Sequence, residues 1–196
     1  MLAWAVAPQP AQRSAAAQRL STKVTTAATC AADLGSGVKS RRQFCDVMIA
    51  SSGAASISME IPSHTGPATL RFDLHNRFTV PAAAVPPSVA FMRHSALVAV
   101  VGPDGTAIDR AGVVREYRTV DDLFDRIGGG GRAGGVKAVA PGPAESIRVT
   151  IPAGVSSIGI VGVRLHVLTR AGDEAFDSPG RPVAIVSNLR IEYTPR

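Results

Sequence analysis

In the segment ATLRFDLHNRF, Arg71, Asp73 and His75 alternate with Leu70, Phe72 and Leu74. Alternate residues of a β-strand share a face, so the three polar side chains stand in one row and the apolar three in another. A carboxylate beside a histidine can orient the imidazole for acid–base work or for metal binding. The Asp73–His75 couple is therefore the centre around which a hydrolytic or metal-assisted enzyme would be built. The simplest expectation for Arg71, Asp73 and His75 is a solvated polar face. With Phe78 just beyond them, that face is a candidate ligand-contact surface. The other histidines, His64, His94 and His166, form no H-E-x-x-H or comparable ligand pair. Ser36 and Lys39 match S-x-x-K, but the companion motifs of that enzyme class are absent. No catalytic, metal or cofactor-binding residue is assigned on these grounds, and no cofactor is expected.

The stretch DRIGGGGRAGGVK, Asp125 to Lys137, satisfies G-x-G-x-x-G through Gly129, Gly131 and Gly134. A dinucleotide fingerprint needs a strand entering the loop and a helix leaving it, so that the helix N-terminus meets the pyrophosphate. Here the order is reversed. TVDDLFDRI, before the glycines, has a helix-like pattern: Thr119 as N-cap, Asp121 and Asp122 in the first turn, Leu123 and Ile127 on one face. The expectation is one short helix near 120–127, stopped by Gly128 in a left-handed conformation. A mobile linker should follow it, not a phosphate cradle.

Cys30 and Cys45 are the only cysteines, and AADLGSGVKSRRQF between them has the polar, Gly-containing character of a closed loop. An even count in an exported chain suggests a disulfide. The opening MLAWAVAPQPAQRSAAAQ has a short apolar run and small-residue sites resembling signal-peptide cleavage points, but lacks a charged n-region. It suggests an export segment that is truncated or has its start misplaced, or a disordered tail. The chain is accordingly expected to be secreted, periplasmic or at the cell surface. No stretch reaches the roughly eighteen apolar residues of a membrane span.

The formal charge is +6. Most of the excess lies in residues 1–43, where Arg13, Arg19, Lys23, Lys39, Arg41 and Arg42 face Asp33 alone. A nucleic-acid-binding domain carries its basic patch on the folded body, so nucleic acid is not an expected partner.

The elements that must position these residues are strands. ASISMEIP places Ile57, Met59 and Ile61 on one face, and ESIRVTIP does the same with Ile147, Val149 and Ile151. RPVAIVSNLRIEY keeps Val183, Ile185, Leu189, Ile191 and Tyr193 on one parity. Pro103-Asp104-Gly105 between apolar flanks marks a hairpin connection, and SSIGIVGVRLHVLT changes parity where Gly159 or Gly162 permits a bulge. The Pro-rich segment 79–88 is expected to be a loop. Residues 1–28 read as export remnant or tail and 29–196 as the domain: an all-β, antiparallel two-sheet sandwich, jelly-roll-like, of about eight strands.

Sugars are commonly gripped by exposed Trp and Tyr, yet the single Trp is Trp4 and Tyr193 has inward parity. Three functions remain. The first is an exported, non-enzymatic module binding an unknown protein or glycan at the cell envelope. The second is the enzyme centred on Asp73 and His75. The third is a structural envelope component.

Overall fold

The computed structural model describes residues 22–49, 57–77, 92–116, 124–125, 127–128, 141–169, 171–175 and 183–196. These residues form an antiparallel two-sheet β-sandwich and contain no helix. The larger sheet runs, edge to edge, Pro141–Ile151 (β10), Ala68–Arg77 (β6), Ala184–Tyr193 (β13), Gln43–Val47 (β4), Asp33–Gly37 (β3) and Ile127–Gly128 (β9), with Lys23–Thr25 (β1) also paired to β13. The smaller sheet runs Thr29–Cys30 (β2), Ile57–Glu60 (β5), Ser157–Thr169 (β11), Met92–Val101 (β7) and Ala107–Glu116 (β8), with Gly172–Ala175 (β12) on β11. Strand β1 carries the sandwich further toward the N-terminus than the expected boundary at residue 29. The strand count exceeds the expected eight because several short strands, β1, β2, β9 and β12 among them, line the rims.

Period-two alternation builds the core. Leu70, Phe72 and Leu74 of β6, Val149 and Ile151 of β10, and Val186 and Ile191 of β13 face Ile57, Met59, Val98, Val100, Ile158 and Ile160 of the other sheet. Each such side chain contributes roughly 1.5–3 kcal/mol by leaving water. The β7–β8 hairpin turns at Gly105, whose φ of 79° is left-handed, and β11 shifts register between Gly162 and Arg164.

Cys30 and Cys45 form a disulfide with a Cα–Cα separation of 5.7 Å. It joins β2 of the smaller sheet to β4 of the larger, so it crosses the core.

Two expectations fail for the same reason. The single parity of RPVAIVSNLRIEY is broken by a register shift between Ser187 and Arg190, where Asn188 takes a φ of 55°. Ala184 and Val186 then point inward, while Ile185 points to the outer face. There it joins Phe44 and Ile127 in a second apolar cluster, with Leu34 and Phe124 against it. The larger sheet is thus buried locally on both faces. The segment expected to end a helix supplies this cover. Ile127 and Gly128 pair with Gly37 and Ser36 as β9, so Gly128 is not a helix stop. Residues 119–123 and 129–137 of the helix and glycine expectations lie outside the described residues.

Candidate functional site: a buried polar network beneath an open slot

The polar row of β6 is not a solvated face. Asp73 is 8% exposed and His75 0%: Phe44 and Phe124 close over the imidazole, while Arg42, Asn188 and Ser146 surround the carboxylate. The His75 ring lies 5.6 Å from that of Phe44 and 5.0 Å from that of Phe124. Phe124 is held there by its neighbour. The Asp125 carboxylate accepts hydrogen bonds from the Lys39 amide at 3.0 Å and the Ser40 amide at 2.8 Å, capping the turn between β3 and β4. The approach is so close that a Cβ on Gly37 would collide with that carboxylate and lie 2.9 Å from the Phe44 ring.

Every polar atom of the couple has a partner. His75 Nδ1 lies 2.8 Å from the Gly142 carbonyl, which only accepts, so Nδ1 carries the proton. Nε2 then accepts from the Ser187 hydroxyl at 2.9 Å. Asp73 accepts from Arg42 at 2.8 Å, from Asn188 at 3.1 Å and from Ser146 at 3.0 Å. Burial holds the His75 imidazole below its ordinary value of 6.5. The Gly142 carbonyl and the Asp73 charge oppose that shift, and the charges of Arg42 and Arg115 reinforce it.

The Ser187–His75 distance is that of a nucleophile and its base. Both residues are fully buried, however, and each hydrogen bond also ties one element to the next. Asp73 and His75 do not bond one another. Their partners bind β6 to β10, to β13 and to Arg42 at the entry to β4. Among the described residues no three His, Cys, Asp or Glu side chains converge as metal ligands. Arg71 alone of the expected row stays partly open to solvent, and Phe78 lies outside the described residues. A direct Asp–His contact, His166 Nδ1 to Asp173 at 2.8 Å, sits exposed on the smaller sheet.

What the network builds is a slot. Strands β1 and β4 pair with the same side of β13, end to end. Between the partners of Ser187 and of Ile191 that side of β13 is left unpaired. The gap forms an open pocket of about 280 Å³ lined by Thr26, Ala28, Arg42, Gln43, Cys45, Asn188 and Leu189. Its floor is apolar, since Ala28, Cys45 and Leu189 belong to or pack on the core. Its rim is polar, and two rim residues, Arg42 and Asn188, are the ones clamped by Asp73. Arg42 also lies over the Phe124 ring, 5.4 Å from its centroid, which fixes the guanidinium further. Sequence reasoning missed Arg42, Ser187 and Asn188. The one local signal was the Ser-Asn step inside a strand, since Asn tolerates the left-handed φ that a bulge requires.

One outer-face residue stands apart. Asp46 on β4 is 1% exposed, and neither carboxylate oxygen accepts an aligned hydrogen bond from a described residue. Burial pushes it up to about 7, outweighing the lowering effect of the Val47 amide.

No family model matches the chain, and none of the curated proteins does. Among solved structures the chain is similar to the K1 cleaved adhesin domain of Lys-gingipain from Porphyromonas gingivalis W83. The identity is 10%, the match covers 89% of this chain and 91% of that one, and the TM-score is 0.38.

Proposed function

We propose that the protein is an exported, non-enzymatic binding module that takes its partner at the slot and the adjoining outer face of the larger sheet. The observation that carries this reading is the use made of Asp73. Its carboxylate is spent on Arg42 and Asn188, and so on holding the slot's rim in shape. A fixed concave surface with an apolar floor and a few convergent polar groups is what a binding site requires. The disulfide supports an oxidising compartment, where such bonds persist. The enzyme reading needs substrate to reach Ser187 or His75, and both are fully buried, His75 under the rings of Phe44 and Phe124.

The slot can be plugged from its exposed rim. Thr26→Trp should leave the thermal midpoint within about 2 °C, as surface changes usually do. It should lower retention of envelope polysaccharide or protein fractions on the immobilised chain at least tenfold. Equal retention by the plugged and unplugged chains contradicts the slot as the contact. Hydrolysis of an activated ester that is lost in Ser187→Ala at unchanged stability would favour the enzyme instead.

A further inference from the structure

We infer that the outer face of the larger sheet carries a site for an acidic polysaccharide, centred on a row of three arginines. This deepens the binding-module reading and rests on it. Arg148 of β10 is the direct register partner of Arg71 of β6, and Arg71 is the direct partner of Arg190 of β13. Directly opposed residues of paired strands share a face, so three guanidinium groups stand in line across three adjacent strands. Neighbouring strands are about 4.8 Å apart, which spaces the row over about 10 Å.

Like charges placed opposite one another destabilise a sheet. Here the compensation is partial. Glu192 lies 2.8 Å from Arg71 Nε and 3.6 Å from Arg190 Nε, and among the described residues it is the one carboxylate that pairs with the row. The Arg71 contact is an ion pair without the alignment of a hydrogen bond. Arg148 is exposed and has no ion-pair or hydrogen-bond partner among the described residues. Arg42, at the rim of the slot, is already matched by Asp73. The row is thus left with uncompensated positive charge in a line, next to the slot that Arg190 reaches through Asn188 at 3.4 Å.

The chemistry of a fitting ligand follows. Guanidinium forks bind carboxylate and sulfate in bidentate fashion. A linear polyanion lying across the strands would meet one fork per strand. The residues flanking the row on the sheet are Thr69, Thr150, Ser146, Asp73 and Glu192, with Asn188 toward the slot. Asp73 is taken up by Arg42, Asn188 and Ser146, and Glu192 by the row itself, while the hydroxyl and amide groups of the others suit sugar hydroxyls. They offer no ring on which a nucleobase could stack, and base–aromatic stacking is the usual grip on single strands. Recognition by charge needs no stacking ring, which serves neutral sugars far more than acidic ones.

The test uses the full chain in a salt series, with polygalacturonate and dextran sulfate as carboxylated and sulfated probes. Neutral dextran and oligothymidylate serve as comparisons. At least one acidic glycan should bind, raise the thermal midpoint and weaken steeply with salt. Neutral dextran should not bind. Arg148→Ser, at an exposed site on the sheet edge, should lower affinity roughly three- to tenfold and reduce the salt slope by about one, while Arg148→Lys restores most of the slope. Preference for one probe identifies carboxylate or sulfate as the group recognised. No binding of either acidic glycan, an Arg148→Ser chain that binds as the parent does, or tighter binding of oligothymidylate would each overturn the inference. Loss on Thr26→Trp with no effect of Arg148→Ser would leave the slot as the site and remove the row. The opposite pattern would keep the row and remove the slot.

Discussion

Asp46→Asn should stabilise the protein by roughly 4 kcal/mol at pH 8 and by almost nothing near pH 3. In the unfolded chain the Asp46 carboxyl ionises at its ordinary value of 3.8, and in the folded protein at about 7. Between those values the folded state holds a proton that the unfolded state has released. Stability therefore falls with each unit of rising pH, by about 1.4 kcal/mol, and levels off above 7. The raised value places this loss from about pH 4 to pH 7, the reverse of the usual ion-paired carboxylate. An amide never ionises, so the variant escapes the loss. Urea unfolding of both chains across pH 3–8 reads the difference directly. Two stability curves running parallel over that range would show that the carboxylate finds a charge partner or solvent.

Replacing both Cys30 and Cys45 by Ala should cost about 3 kcal/mol, the loop-closure value for a ring of this size. The separation is 15 residues, and the ring includes the turn capped by Asp125 and the Arg42 that Asp73 holds. Losing the bond should therefore loosen the slot as well as the sandwich. Cys45 is also one of the slot's lining residues. Denaturant midpoints of the variant and of the reduced parent should fall together. A loss below 1 kcal/mol in both would mean that packing alone holds β2 against β4.

The core was legible because a sandwich interior obeys period two. Leu70, Phe72 and Leu74 alternate in the chain and alternate in space, and the parity change near Gly162 marked a true bulge. The candidate site was legible only in part. Alternation says that Arg71, Asp73 and His75 share a face, but not what lies on it. Phe124 and Ile127 cover that face from about fifty residues away, so no local pattern announces them. Their segment has helical spacing, yet pairing with β3 and capping by Asp125 outweigh a weak local propensity. Likewise Arg71, Arg148 and Arg190 are unremarkable in sequence. Only strand register brings them into line. The slot depends on two strands sharing one partner and on a bulge at Asn188, and a single Asn inside a strand is too slight a signal to locate it.

His75 is a structural histidine within a closed network, and nitrogen NMR of the imidazole tests that most directly. The prediction is a neutral Nδ1–H tautomer, with Nε2 hydrogen-bonded by Ser187. That form should persist below pH 6.5, since burial disfavours the charged ring. An Nε2–H tautomer, or a ring that titrates at 6.5 in the folded protein, would contradict the account and open the Asp73–His75 face to chemistry.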